Sequence, residues 1–188
     1  VGSVLLFTSC EENKEDETDP TDQLVLVGSK SDNGLSIEMY TDDSLKVGLN
    51  KLYIQLTDET SGEKVTSAHI THKPIMNMTT MNHSCPTTNP DMQANEDDLF
   101  VSELVFIMAS GMMGTWDDTI SVLNESANTS HEVVFENLPI QETNMKKNLV
   151  FDDSDSTQAI YIITLTLLDD PQVGSNEFIL TAHRKASM

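Results

Sequence analysis

Apolar residues recur at every second position along most of this chain, and that period limits its fold more than any other feature. Leu35, Ile37 and Met39 alternate with polar residues, and so do Leu52, Ile54 and Leu56. Successive side chains of a strand point to opposite faces, so each segment reads as a strand with one buried side. Leu104, Phe106 and Met108 repeat the pattern with Val105 and Ile107 between them, which predicts a strand buried on both sides. Trp116, Ile120 and Val122 mark a further strand, and Val133 and Phe135 another. Leu24-Val25-Leu26-Val27 is a short one. Val65 to Ile75 reads as a strand with Ala68, Ile70 and His72 on one face and His69 and Thr71 on the other. No long 3.6-residue period interrupts the series.

Turn residues punctuate these strands at Asp32-Asn33-Gly34, Thr60-Ser61-Gly62, Ser110-Gly111, Gly114 and Asn124 to Ser130. Seven short strands with turns at this spacing predict an all-β fold, an immunoglobulin-like antiparallel β-sandwich over residues 24–139. Its two sheets bury one face of each strand against the other. Trp116 is the expected centre of the core, with Phe106 and Leu104 beside it.

Charge narrows the partners. The chain carries 31 Asp+Glu against 10 Lys+Arg, a net charge of -21. Phosphate binding needs a basic surface, so nucleic acid is not an expected partner. Anionic lipid is not held by charge either. No apolar run approaches the length of a membrane-spanning helix.

A lipid anchor is nevertheless expected. Val4, Leu5, Leu6 and Phe7 read as the tail of an apolar signal segment whose start lies upstream of Val1. Thr8-Ser9-Cys10 follows, and apolar residues, small residues and a cysteine resemble a bacterial lipobox. Residues 1–10 are then signal-peptide remnant and lipobox, with Cys10 lipidated, by palmitate among other acyl chains. Glu11-Glu12-Asn13-Lys14-Glu15-Asp16-Glu17 resembles the surface-export signal of lipoproteins in one large group of Gram-negative bacteria. Residues 11–23 read as an acidic tether without a core of its own. Acyl chains contribute about 0.8 kcal/mol per buried methylene, enough in pairs or triplets to hold a domain on a membrane. The expected location is the bacterial outer membrane, lipid-anchored and surface-exposed. In that setting the Asn-x-Ser/Thr sites at Asn77, Asn82, Asn124 and Asn128 are turn chemistry rather than glycan acceptors. With Cys10 acylated, Cys85 has no disulfide partner.

A short motif occurs twice. Val47-Gly48-Leu49-Asn50 precedes Leu52-Tyr53-Ile54, and Val173-Gly174-Ser175-Asn176 precedes Phe178-Ile179-Leu180, 126 residues on (Gly48 to Gly174). An internal repeat follows. Leu138-Pro139 closes the first unit. Residues 140–188 read as a linker with a lead-in strand at Leu149-Val150-Phe151, then the first strands of a second, incomplete sandwich. Tyr161 to Leu168 and Phe178 to Ala182 are those strands.

The segment Met76 to Pro90 differs from the rest. Met76, Met78, Met81, His83 and Cys85 fall within ten residues, Met92 follows, and Met112 and Met113 sit in a separate turn. Thioether, thiolate and imidazole are soft or borderline ligands that suit Cu(I). In an extended chain Met76 and Met78 share a face, as do Met81 and His83. Copper held by these side chains is one reading. The other is packing, since methionine fills irregular core gaps and a lone thiol is often buried. His69 and His72 read as strand residues rather than ligands, and His131 and His183 have no supporting neighbours.

With these residues in view the chain resembles the YtkA-like domain family. Pro74-Ile75-Met76-Asn77-Met78 after a strand, a histidine and a proline soon after, and Gly114-Thr115-Trp116 opening a later strand are similar to the family pattern. The resemblance covers roughly residues 35–124, and residues 146–188 look like the start of a second copy. It implies an immunoglobulin-like sandwich and, through relatives found near copper-handling proteins, copper. Cys85 departs from the pattern.

No arrangement for catalysis is found. GxSxG, HExxH, a glycine-rich phosphate loop and paired CxxC are all missing from the sequence. Asp152-Asp153-Ser154-Asp155 offers oxygen ligands for Ca²⁺ without the spacing of a known loop. The chain is expected to be a binding module and not an enzyme, with copper as its possible metal and an envelope protein as its possible partner. The competing expectation is a metal-free structural or adhesion unit.

Overall fold

The computed structural model describes residues 19–152, 158–167 and 171–184. Cys10 and most of the acidic tether lie outside them, as do three residues of the proposed Ca²⁺ cluster. Among the described residues every regular element is a strand. In chain order these are β1 (Val25–Asp32), β2 (Leu35–Thr41), β3 (Gly48–Asp58), β4 (His69–Asn77), β5 (Asn82–Ser84), β6 (Thr87–Thr88), β7 (Phe100–Phe106), β8 (Thr115–Asn124), β9 (Thr129–Leu138), β10 (Lys146–Asp152), β11 (Gln158–Leu167) and β12 (Phe178–Arg184).

Two antiparallel sheets form a sandwich. One has the order β1-β2-β3-β7-β6 and the other β5-β4-β8-β9. Asn33 and Gly34, at φ 47° and 85°, close the β1–β2 hairpin in the twist that suits a two-residue turn. The alternation read from the sequence becomes the core. Leu35, Ile37 and Met39 of β2 and Leu52, Ile54 and Leu56 of β3 meet Ile70 of β4, Trp116 and Ile120 of β8 and Phe135 of β9 in one cluster. Trp116 is fully buried, as expected. Its ring lies edge-on to Phe106 at 5.2 Å, and its Nε1 donates to the Met108 carbonyl at 2.8 Å.

Several boundaries differ from expectation. The strand expected over Val65–Ile75 begins later, at His69. Val65 N instead donates to Leu56 O and Ala68 N to Met92 O, so residues before His69 are tied to β3 and to a loop. Met76 to Pro90, which lies beyond the strand expected over Val65–Ile75, contains the end of β4 and the whole of β5 and β6, the last two each filling an edge of a different sheet. The core of the first unit reaches past Pro139: Ile140 is fully buried in it, and Gln141 bonds the backbone of Leu45 and Val47. The lead-in strand is longer than Leu149-Val150-Phe151 and forms β10 of a three-stranded sheet, β10-β11-β12.

Asn50 shapes the entry to β3. Its side chain accepts from Lys46 N at 2.9 Å and donates to Lys46 O and Gly48 O at 2.7 and 2.9 Å. Gly48, at φ 115°, takes a backbone conformation that other residues rarely reach. Asn50 is buried, so Asn50→Ala leaves polar backbone groups without partners and is expected to cost about 2 kcal/mol in urea denaturation. A loss under 0.5 kcal/mol would show that water reaches this turn.

Candidate functional site

The soft-donor segment folds into a β-hairpin. Ile75 pairs with Ser84, Met76 with His83 and Asn77 with Asn82. Met78 N donates to Met81 O at 3.2 Å and closes the turn. Residues directly opposite in an antiparallel pair share a face, and so do residues two apart. Met76, Met78, Met81, His83 and Cys85 therefore lie on one side of the hairpin. That juxtaposition was legible only in part, as two separate same-face pairs.

Burial divides the set. Met76 is fully buried opposite Trp116 of β8, and Cys85 is buried too. Met78 and His83 are half-buried, and Met81 is exposed. A second turn adjoins them. Gly111 and Gly114 bond each other reciprocally and hold Met112 and Met113 at its tip, with Met112 105% exposed. At φ 154°, Gly114 sits so close to the hairpin that a Cβ there would lie 2.4 Å from Asn77 O and 2.9 Å from Met78 Cγ. The two methionine turns are thus packed against each other at one end of the sandwich.

A polar group within the core was missed by the sequence reading. His72 Nδ1 and Asp118 Oδ2 are 2.7 Å apart, both side chains wholly buried. Asp118 Oδ1 accepts from Lys73 N at 3.1 Å, and Asn89 Oδ1 accepts from His72 N at 3.0 Å. His72 Nε2 is buried without a hydrogen-bond partner. The signal was present: His72 and Asp118 both fall on the inward phase of their strands, Asp118 between Trp116 and Ile120. A carboxylate holding one imidazole nitrogen is how proteins orient a working histidine. Here the ring is enclosed in the core.

Cys85 belongs to the same neighbourhood. Burial pushes its thiol well above the usual range, and the nearby Asp118 charge pushes it further. The thiol stays protonated, which makes it a poor nucleophile and a poor thiolate ligand. A raised acid pKa means the folded state holds a proton that the unfolded state releases. Cys85 therefore contributes stability that is intact below pH 9, its unfolded value, and fades above it. The expected slope is about 1.4 kcal/mol per pH unit. Cys85→Ala should flatten that part of the alkaline stability profile, and an unchanged profile would contradict the assignment.

Three histidines lie outside this group and outside the hairpin. His69 makes an exposed pair with Glu125 at 3.2 Å, which contributes little. His131 ties β9 to β1 through Asp32 O at 2.9 Å, with Thr129 Oγ1 on its other nitrogen. Burial lowers the pKa of His183. Among the described residues no group of three or more His, Cys, Asp or Glu side chains is arranged to hold a metal ion. The thioethers and His83 at the hairpin end are the remaining soft donors that lie together. Comparison with family models, curated proteins and solved structures found no match to this chain.

Proposed function

We propose that this chain is a lipid-anchored binding module of the bacterial cell envelope, similar to YtkA-like domains, that takes Cu(I) at its methionine-rich end. The observation that carries the reading is the packing of two methionine turns, one with Met78, Met81 and His83, the other with Met112 and Met113. Thioethers and neutral imidazole match Cu(I) in softness, and partial exposure leaves an entry path. The order β2-β3-β7-β6 opposite β5-β4-β8-β9 supports an immunoglobulin-like reading, because it follows the ABED and CFG arrangement of that fold. The anchor rests on the Thr8-Ser9-Cys10 motif and the acidic run after it.

Met76 and Cys85 take no part as ligands in this reading; they fill the core. Their burial also favours the second reading, a metal-free structural or adhesion module whose methionines serve packing. Titration of the reduced protein with Cu(I) against a competing chelator separates the two. One ion per chain is expected, with affinity falling about 100-fold in Met78→Leu/Met81→Leu/His83→Ala. Gly114→Ala, which pushes the second turn off the hairpin, should also weaken binding. Equal affinity in the wild type and the triple variant would discard the copper reading in favour of the structural one.

A further inference from the structure

The two VGxN motifs are one structural device. Asn176 Nδ2 donates to Gln172 O at 2.9 Å and Gly174 O at 3.1 Å, and its Oδ1 accepts from Gln172 N at 2.7 Å. These are the bonds that Asn50 makes to Lys46 and Gly48. Gly174 has φ 120° and Gly48 φ 115°.

The register of the strands repeats as well. Leu52 pairs with Thr41, Ile54 with Met39 and Leu56 with Ile37. At positions shifted by the same interval, Phe178 pairs with Leu167, Leu180 with Leu165 and Ala182 with Ile163. β11 and β12 are therefore the counterparts of β2 and β3. In the first unit this face is sealed in the core by β4, β8 and β9. In the second, Phe178 is 54% and Leu180 59% exposed, with Ile163, Leu165 and Leu167 half-exposed. The opposite face is the one turned to the first sandwich: Thr164 is fully buried, and Thr166 Oγ1 accepts from Leu49 N at 3.3 Å.

A three-stranded sheet with an apolar face needs a cover to be stable. The first unit shows which kind. Its covering strands β4, β8 and β9, and the strand β7 that pairs along β3, all follow β3 in the chain. We propose that residues 146–184 are the first half of a second sandwich, whose face carrying Ile163, Leu165, Leu167, Phe178 and Leu180 is covered by later strands of the same polypeptide, in a sheet built like β5-β4-β8-β9. The interface is the intersheet contact of the first unit repeated, and the occupant is an amphipathic antiparallel sheet.

Thiol labelling of Leu180→Cys in the complete native gene product tests this, with buried Cys85 reporting that the fold is intact. Labelling is expected to be about 100-fold slower than in the same protein unfolded, at every concentration, with the mass of a monomer. In the unsubstituted product, the β12 amides that point away from β11 should also exchange slowly, as is expected of the β3 amides that pair with β7. Labelling as fast as in denaturant, or fast exchange of those amides, would overturn the proposal. Protection that disappears on dilution together with a dimer would overturn it as well, because the cover would then be a second copy.

Discussion

Asp118→Ala is expected to destabilise the protein by about 3–5 kcal/mol, the cost of breaking a buried pair by removing one partner. The carboxylate is wholly buried and meets both His72 Nδ1 and Lys73 N. Alanine leaves both groups in the core without a partner, whichever of ring and carboxyl held the proton. Asp118→Asn should lose less, because the amide oxygen still accepts one of these bonds. Replacing both members, as in His72→Leu/Asp118→Leu, should recover much of the single-variant loss, since a buried pair seldom outdoes well-packed apolar residues. Urea denaturation of the single and double variants gives the coupling directly. A loss under 1 kcal/mol for Asp118→Ala would mean that water enters this part of the core.

Trp116→Ala is expected to cost a similar amount, about 3–5 kcal/mol, through lost transfer free energy and an incompletely collapsed cavity. Trp116 sits between the sheets, edge-on to Phe106 and opposite Met76. Its ring also satisfies the Met108 carbonyl, which alanine leaves unpaired. Against a typical domain stability of about 5–15 kcal/mol this is a large fraction. Circular dichroism should follow the unfolding, because the chain has a single tryptophan and the variant loses that fluorescence. Met76 of the hairpin pairs with this residue, so if the proposed Cu(I) site exists its affinity should fall in the same variant. Native-like stability would show that the sheets can close over the gap.

Much of the sandwich was legible because its signal is local. The inward phase of Leu35, Ile37 and Met39 is set by strand geometry, whatever they face. Asn33-Gly34 names its own turn through the backbone conformations those residues tolerate. The two VGxN motifs match in residue type and spacing, which the sequence alone displays.

The bulge in β9 was not legible. The register shifts between Trp116 and Asp118, so that Phe135 and Leu138, three apart, both turn inward. Asn137 absorbs the extra residue at φ 55°, and its N–H donates to Asp117 Oδ1 at 2.8 Å. A strict alternation from Phe135 would have placed Leu138 in solvent. The division of the methionine set was equally hidden. Met76 and Met78 have the same phase, yet only Met76 lies far enough inside the sheet to be sealed by Trp116.

The sequence by itself determined the strands, the faces they bury, the turn residues between them and the recurrence of one β3-like entry. These depend on the period of a strand and on allowed backbone angles, which neighbouring residues settle among themselves. Only the tertiary structure decided that His72 meets Asp118, that Cys85 stays protonated beside them, and that two methionine turns share one end. Each of those facts joins residues far apart in the chain, and pairing and register across that distance are fixed only when the sheets close on each other.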